Sequence, residues 1–564
     1  MKDAGRAQGV ELDVRPRLVT DMFDATVAKH RARRAIDFMG RHVSYGELEH
    51  EVARAAAGLQ RRGVAPGTRV ALCLPNTPHY PILFLATLRL GGVVVNVNPL
   101  YVERELRHLL QDSGASVIAT IDLPDVHARV CRVAAELGLA HVITCRVAEA
   151  LPLAKSLAYR LLRRKDIAAT PRGAQHVAYP DLLAGGGTAT PVSVRPDDLA
   201  VLQYTGGTTG VPKGAMLSHA NLVANADAMT VHVGGEREDQ DRVIGVLPLF
   251  HVFALTTVLL LSIRVGAQMV LLPRYDLDQT LKAIARTRPT FLPAVPTIFN
   301  AMAGAAGKQR IDLSGMRACI SGGAPLPGEV REAFERDTGG RLVEGYGLSE
   351  ASPIITCNPI DGPDKPGSAG RPFPGTTIEI RAPDGERELR AIGDRGEICA
   401  RGPQVMAGYW HRPAETEAVL NDGLLRTGDI GYLDEDGYLF IVDRIKDVIL
   451  AGGYNVYPRV IEDALYEHPM VVEAVVIGVP DAYRGQAPKA FVTLKDGETV
   501  DVGALRAFLA ERLSKIELPR EIEVRDTLPK TLIGKLSKKE LVAEEEARTA
   551  GAADRTRGET MVDG

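Results

Sequence analysis

The sequence has no charge surplus of either sign: 67 Lys and Arg stand against 71 Asp and Glu, a formal net charge of -4. Nucleic-acid phosphates call for a cationic excess, so no nucleic acid is expected as a partner. Cysteine is scarce, six residues at Cys73, Cys131, Cys145, Cys319, Cys357 and Cys399. None forms a C-x-x-C pair or a zinc-like spacing, which argues against a thiolate metal centre and for reduced thiols in the cytoplasm. No internal repeat is visible. The first 17 residues are polar with no apolar run, so no signal peptide is expected. One long apolar stretch, 243–263, has the length to span a bilayer. Pro248 and His251 interrupt it and Arg264 closes it, so a strand end, a turn and a buried helix are expected instead.

What is present is ordinary for a globular protein: 45% hydrophobic and 24% charged residues. At about 150 residues per domain the length suggests three or four domains, or fewer large ones. Strand-like runs at 69–74, 93–97 and 115–120 are separated by helix-like runs at 78–90 and 103–112. That alternation implies βαβ units and a parallel sheet, and it resumes at 199–204, 266–272 and 317–321. Gly and Pro then cluster from 361 to 374, and short strands follow to about residue 438, as in a β-rich subdomain. From 447 a helix, two strands and another helix suggest a compact α+β unit of about 100 residues. The expected fold is therefore α/β: a large N-terminal domain (1–445) of βαβ-type sheets plus a β-rich subdomain, and a small C-terminal domain (446–542). The stretch 543–564 is polar and rich in Gly and Ala, and is expected to be a disordered tail.

The strongest local signal is Tyr204-Thr205-Gly206-Gly207-Thr208-Thr209-Gly210-Val211-Pro212-Lys213-Gly214, directly after an expected strand. Its glycines let backbone N–H groups approach an anion, its threonines add hydroxyl donors, and Lys213 adds charge. That set suits a polyphosphate. Pro212 before Lys213 and Gly214 after it depart from the Walker A pattern, so the loop is not that of a P-loop NTPase.

This loop resembles the signature of the adenylate-forming superfamily, which includes acyl-CoA synthetases, luciferases and peptide-synthetase adenylation domains. The resemblance runs from about residue 21 to 540. It recurs in order at Leu247-Pro248-Leu249-Phe250-His251, Ser321-Gly322-Gly323-Ala324-Pro325, Tyr346-Gly347-Leu348-Ser349-Glu350, Thr427-Gly428-Asp429, Asp443-Arg444-Ile445-Lys446-Asp447 and Pro529-Lys530-Thr531-Leu532-Ile533-Gly534-Lys535.

The chemistry implied is joining a carboxylate to AMP, which makes a mixed anhydride that a thiol then attacks. Charge grows on an already anionic phosphoryl group, so cationic and N–H stabilisation should dominate. By resemblance, Lys535 contacts the acid carboxylate and the α-phosphate, and Thr205, Lys213 and His251 complete the catalytic set. In the family this histidine lies over the phosphate loop and lines the carboxylate entrance, which the resemblance implies for His251. Glu350 is the expected Mg²⁺ ligand, since magnesium takes few protein carboxylates. Ser349 stands where the family usually has threonine, with a hydroxyl able to do the same work. Tyr346 is expected near the adenine, with Gly323 and Ala324 as the facing wall and Glu344, Gly345 and Gly347 in the same nucleotide site. Asp429 should accept from the ribose hydroxyls and Arg444 donate to ribose or phosphate. Gly206, Gly207, Thr208 and Thr209 should cradle the phosphates.

Lys446 matches the family's hinge, about which the small domain turns between half-reactions. The turn carrying Gly453 and Asn455 would then face the adenylate and shape the thiol tunnel, and Arg264 is a candidate contact for a CoA phosphate. ATP, Mg²⁺ and CoA are thus the implied cofactors and substrates, with CoA the expected acceptor.

The apolar stretches 247–255 and 291–297 could line an acyl pocket, and their wording is most like bacterial long-chain fatty-acid–CoA ligases. A medium- to long-chain fatty acid is therefore the implied substrate. An aromatic acid, as in coumarate–CoA ligases, and fatty acyl-AMP formation for a carrier protein stay open at this point. So does a homodimer. Residues 151–165, LPLAKSLAYRLLRRK, gather leucines on one side of a helix with Lys155, Arg160, Arg163, Arg164 and Lys165 beside them. Two readings stay open for it: a helix with a solvated basic face, or an interfacial helix on anionic lipid at the inner face of the membrane.

Overall fold

Val93–Asn96 and Val117–Ile121 are buried at every residue, which is what a parallel strand covered on both faces requires. They belong to a seven-stranded sheet in the order Lys213–Ser218, Leu199–Thr205, Val93–Asn96, Arg69–Cys73, Val117–Ile121, His141–Cys145, His176–Ala178. All its pairs are parallel except the hairpin Leu199–Thr205/Lys213–Ser218. The computed structural model describes residues 5–12, 15–171, 173–205, 212–306, 311–382, 388–452, 454–481, 483–495, 497–531 and 534–559, with side chains as far as 548.

A second, nine-stranded sheet runs Arg371–Pro372, Ile354–Cys357, Leu342–Gly347, Ala318–Ser321, Phe291–Ala294, Arg242–Gly245, Gln268–Leu271, Arg34–Phe38, Arg41–Ser44. Its centre is parallel. The strand Arg242–Gly245 is followed by its neighbour on one side and flanked by Phe291–Ala294 on the other, so the winding direction reverses between them. Crevices outside the carboxyl ends of strands at such a switch point are where α/β sheets bind ligands. The turn carrying His251 and the segment carrying Thr297 both leave the sheet at that edge.

The 243–263 stretch is a strand end, a turn and a buried helix, as expected, with π-helical geometry over Leu255–Leu260. Among the described residues no helix is long and apolar enough to cross a membrane. All six cysteines are free.

A third sheet of six strands collects Arg6–Gln8 with strands between Thr377 and Arg444, all antiparallel, and is the expected β-rich subdomain. A fourth, of five strands, carries Ile449–Ala451, Tyr454–Val456, Val471–Asp481, Gly485–Leu494 and Glu521–Val524. It has its own apolar cluster around Val476, Val492, Ile461 and Leu505.

The tail departs from expectation: a helix runs from Lys538 to Glu559. Leu541 is wholly buried against Val475, Ile477 and Phe491. The buried ammonium of Lys489 pairs with Glu545 at 3.0 Å as well as Glu521 at 2.8 Å and Glu523 at 3.0 Å. Arg525 reaches Glu544 at 2.7 Å. Polar composition suggested disorder, but Ala, Glu and Arg are strong helix formers, and here they also have partners.

Candidate active site

The His251 turn is held from the first sheet. Asn76 Nδ2 donates to the carbonyls of Leu247 (2.7 Å) and Gly245 (3.1 Å), and Leu249 N donates to Asn76 Oδ1 at 2.7 Å. His251 Nδ1 accepts from Phe253 N at 3.3 Å, which leaves the proton of the neutral ring on Nε2. Burial, followed by the charge of Lys535, holds the His251 pKa down to about 3. The ring is therefore an uncharged hydrogen-bond donor at physiological pH.

Asp429 and Arg444 face each other across the antiparallel pair Leu424–Leu433/Leu439–Arg444. Tyr346 OH donates to Asp429 Oδ2 at 2.6 Å, and Arg444 Nε lies 3.4 Å from Asp429 Oδ1. Burial raises the Asp429 carboxyl, and Arg444 and the Tyr346 hydroxyl oppose that rise. Gly347, just after Tyr346, can have no side chain: a Cβ there would lie 2.0 Å from the Pro353 carbonyl oxygen. That close approach sets the turn that aims Tyr346 at Asp429.

Lys535 arrives from the other domain. The turn Thr531–Lys535 closes on itself through Thr531 N donating to Lys535 O (2.6 Å) and Gly534 N to Thr531 O (2.8 Å). Thr297 Oγ1 donates to Gly534 O at 2.9 Å and fixes the turn to the sheet edge. The lysine side chain then lies across Gly323, whose φ is +83°: a Cβ there would come within 2.6 Å of Cε and 2.9 Å of Nζ. Burial and the nearby Arg444 lower the Lys535 pKa to about 8, with Asp429 pulling the other way.

Glu350 sits on a short 3₁₀ turn, Ser349–Ala351. Tyr409 OH donates to its Oε1 at 2.6 Å, and the Tyr409 ring lies 5.1 Å from Lys213 Nζ. Tyr409 thus links the loop lysine to the carboxylate, and nothing in the motifs named it. Its one sequence signal is the aromatic pair Tyr409-Trp410 after Gly408 in a turn-rich stretch. Thr205 ends the strand that pairs with Lys213, its hydroxyl 3.4 Å from the Lys213 carbonyl. Among the described residues no group of three or more His, Cys, Asp or Glu could hold a metal. A single carboxylate fits only a hard cation that draws most of its oxygens from phosphate and water.

The remaining candidates are placed as follows. Gly206, Gly207, Thr208, Thr209 and Gly453 lie outside the described residues. Gly323 is exposed at the mouth with Ala324 half-buried beside it, and Gly345 and Ser349 flank Tyr346 and Glu350. Glu344 is buried, its carboxyl pushed up to about 7 by burial despite Arg459. Lys446 is exposed on the turn Ile445–Asp447, next to Arg444. Two candidates are not brought to this cluster by their partners. Arg264 Nε pairs with Asp227 at 2.5 Å, which Arg17 also grips at 2.6 and 2.7 Å. Asn455 is exposed on the hairpin Ile449–Ala451/Tyr454–Val456, opposite Leu450.

A lysine, an arginine, an aspartate–tyrosine pair and a glutamate thus meet at a switch-point crevice roofed by a second domain, an arrangement suited to activating an acid with a nucleotide. The chain belongs to the AMP-binding enzyme family. That family's model matches residues 23–410, and the AMP-binding enzyme C-terminal domain matches 460–535. A Bacillus subtilis (strain 168) protein named long-chain-fatty-acid–CoA ligase is 42% identical over 539 residues, covering 95% of this chain and 96% of that protein. A feruloyl-CoA synthase from an Amycolatopsis species is 37% identical over 508 residues, covering 90% and 95%. The crystal structure of ATP-bound MatB from Rhodopseudomonas palustris superposes with a TM-score of 0.81 at 32% identity, covering 94% of this chain and 98% of that one.

Proposed function

We propose that the chain is an ATP-dependent fatty acyl-CoA synthetase of the cytoplasm, acting on medium- to long-chain acids. The acid's carboxylate oxygen attacks the α-phosphorus of ATP. An acyl–O–P bond forms, the α–β phosphoanhydride bond breaks, and pyrophosphate leaves. The CoA thiolate then attacks the acyl carbonyl and AMP departs. The observation that carries this reading is Lys535 laid across Gly323 beside His251, Arg444 and Asp429. An ammonium held there brings two anions together and offsets the charge that grows on the phosphoryl group.

Asp429, oriented by Tyr346 and Arg444, receives the ribose hydroxyls. His251 donates from Nε2 at the carboxylate entrance. Thr205, Lys213 and the glycines between them hold the phosphates. Mg²⁺ would be held by Glu350, which Tyr409 orients, and would offset phosphate charge when bound. The domain boundary falls at 445/446, with Lys446 as hinge, and the hairpin bearing Gly453 and Asn455 serves the thiol step.

The acyl reading draws on the long-chain ligase relative and on buried apolar residues beside the crevice: Phe253, which lies against Gly322, and Val295, which lies against Gly323 and Gly534. The feruloyl-CoA synthase relative favours an aromatic acid as the second reading. The test is chromatography of AMP and thioester from ATP, Mg²⁺, CoA and a panel from acetate through octanoate to oleate, with ferulate and benzoate. A maximum between octanoate and oleate, with AMP and acyl-CoA in equal amounts, is expected. A maximum at ferulate would select the second reading, and acyl-AMP and pyrophosphate accumulating without thioester in the presence of CoA would move the acceptor to a carrier protein.

A further inference from the structure

The helix Leu153–Leu162 has no buried residue, yet six of its ten residues are Leu or Ala. Leu153 is 91% exposed, Leu157 62%, Leu161 70% and Leu162 83%. At about 100° per residue these leucines, with Ala154 and Ala158, sweep about half of the helix circumference. Tyr159 and Ser156 are half-buried on the opposite side, with Tyr159 packed on the main core, and Leu151 is buried just before the helix. The apolar face is therefore the outward face, the reverse of a surface helix folded for water. Contiguous exposed leucines on one face mark an interaction surface.

The charges say what kind. Lys155 and Arg160 project at the two edges of the apolar face, and Arg163, Arg164 and Lys165 follow at its end. No acidic residue occurs from 151 to 165. Asp166, the next residue, pairs with Arg163 at 3.3 Å. Lys155 Nζ donates to the Met39 carbonyl at 2.8 Å, which places the helix beside the Arg34–Phe38/Arg41–Ser44 hairpin and its exposed Arg41. An apolar face edged by cations on both sides complements an apolar interior beneath a negatively charged surface.

We propose that this helix is the docking surface for an anionic lipid bilayer. It lies flat in the interface, with its leucines among the acyl chains and its cations at the phosphate level. The proposal deepens the acyl-CoA reading by naming the phase from which a poorly soluble acid is drawn, and rests on that reading only for its purpose. Binding itself is read without substrates, so the two fail separately.

The test is flotation of the full-length protein with vesicles of phosphatidylcholine alone or with about 30 mol% phosphatidylglycerol. Binding to the anionic vesicles, weakened by salt, is expected. Leu157→Glu with Leu161→Glu should lower partitioning at least about tenfold, and Arg160→Gln with Arg164→Gln and Lys165→Gln should remove the preference for anionic lipid. A thermal midpoint within about 2 °C of the unmodified protein shows that each variant is folded. The proposal is overturned by no flotation of the unmodified protein with either vesicle, or by equal flotation of the double-glutamate variant. It is likewise overturned if the leucine changes split a dimer in solution while the unmodified protein ignores vesicles, which would assign the face to a second copy of the chain.

Discussion

The C-terminal domain presents two turns, and they are in opposite situations. The Thr531–Lys535 turn is seated: Thr297 bonds to it and Lys535 crosses Gly323. The hairpin Ile449–Ala451/Tyr454–Val456 is not: Leu450 is 59% and Tyr454 67% exposed. Large apolar side chains left in water on one edge, while the other edge is engaged, are what the proposed function expects of a domain with two docking faces used one at a time. On the function proposed above, this conformer would serve the ATP-dependent step and the exposed hairpin the thiol step.

Changes at each face should separate the two half-reactions. The largest effect is expected where the faces share a residue. Asp429→Ala removes the ribose acceptor from both steps, so acyl-AMP formation and thioester formation from supplied acyl-AMP should each fall about a hundredfold. Loss in only one step would break the comparison at its common part.

A pH effect should mark the seated face. Burial and Arg444 lower Lys535 to about 8, and its protonated form is the one that offsets charge. That form is lost as pH rises through 8, so kcat/KM for ATP should fall about tenfold per unit well above it. Lys535→Arg should move that alkaline limb upward, since guanidinium stays charged. The limb should be absent from thioester formation. His251, held down to about 3 by burial and Lys535, should contribute no limb between pH 5 and 8.

Tyr454→Ala with Asn455→Ala should slow thioester formation about tenfold while leaving acid-dependent pyrophosphate exchange within about twofold. The smallest effect is expected for Thr297→Ala. It removes one hydrogen bond to Gly534 of about 1 kcal/mol and should slow acyl-AMP formation about fivefold without touching the thiol step.

These contrasts could not be read from the sequence in full. The motifs pointed to Lys535, Asp429, Tyr346, Arg444 and Glu350, because each stands at a fixed place in an ordered series. The alternation of apolar runs located the parallel strands, because strands covered on both faces cannot be polar. Tyr409, Thr297 and Asn76 carry no such signal. Each acts through a single hydrogen bond to a distant segment, and a lone tyrosine, threonine or asparagine has no spacing that reveals it. Resemblance alone makes Arg264 a candidate for a CoA phosphate, and only the fold shows its partner, Asp227. Composition alone does not show the last helix, because its ion pairs, Lys489 with Glu545 and Arg525 with Glu544, join residues far apart in the chain. For the 151–165 segment, periodicity gave the helix, but only the placement of Tyr159 on the core decides that the leucines face outward.

The most direct test of the two-face account is a split assay on Lys535→Ala, measuring acyl-AMP formation from acid and ATP alongside acyl-CoA formation from supplied acyl-AMP. The account predicts that the first falls at least about a hundredfold while the second stays within about threefold of the unmodified enzyme. Equal loss in both would mean that Lys535 serves the whole site rather than one docked state, and would contradict the division of labour between the two turns.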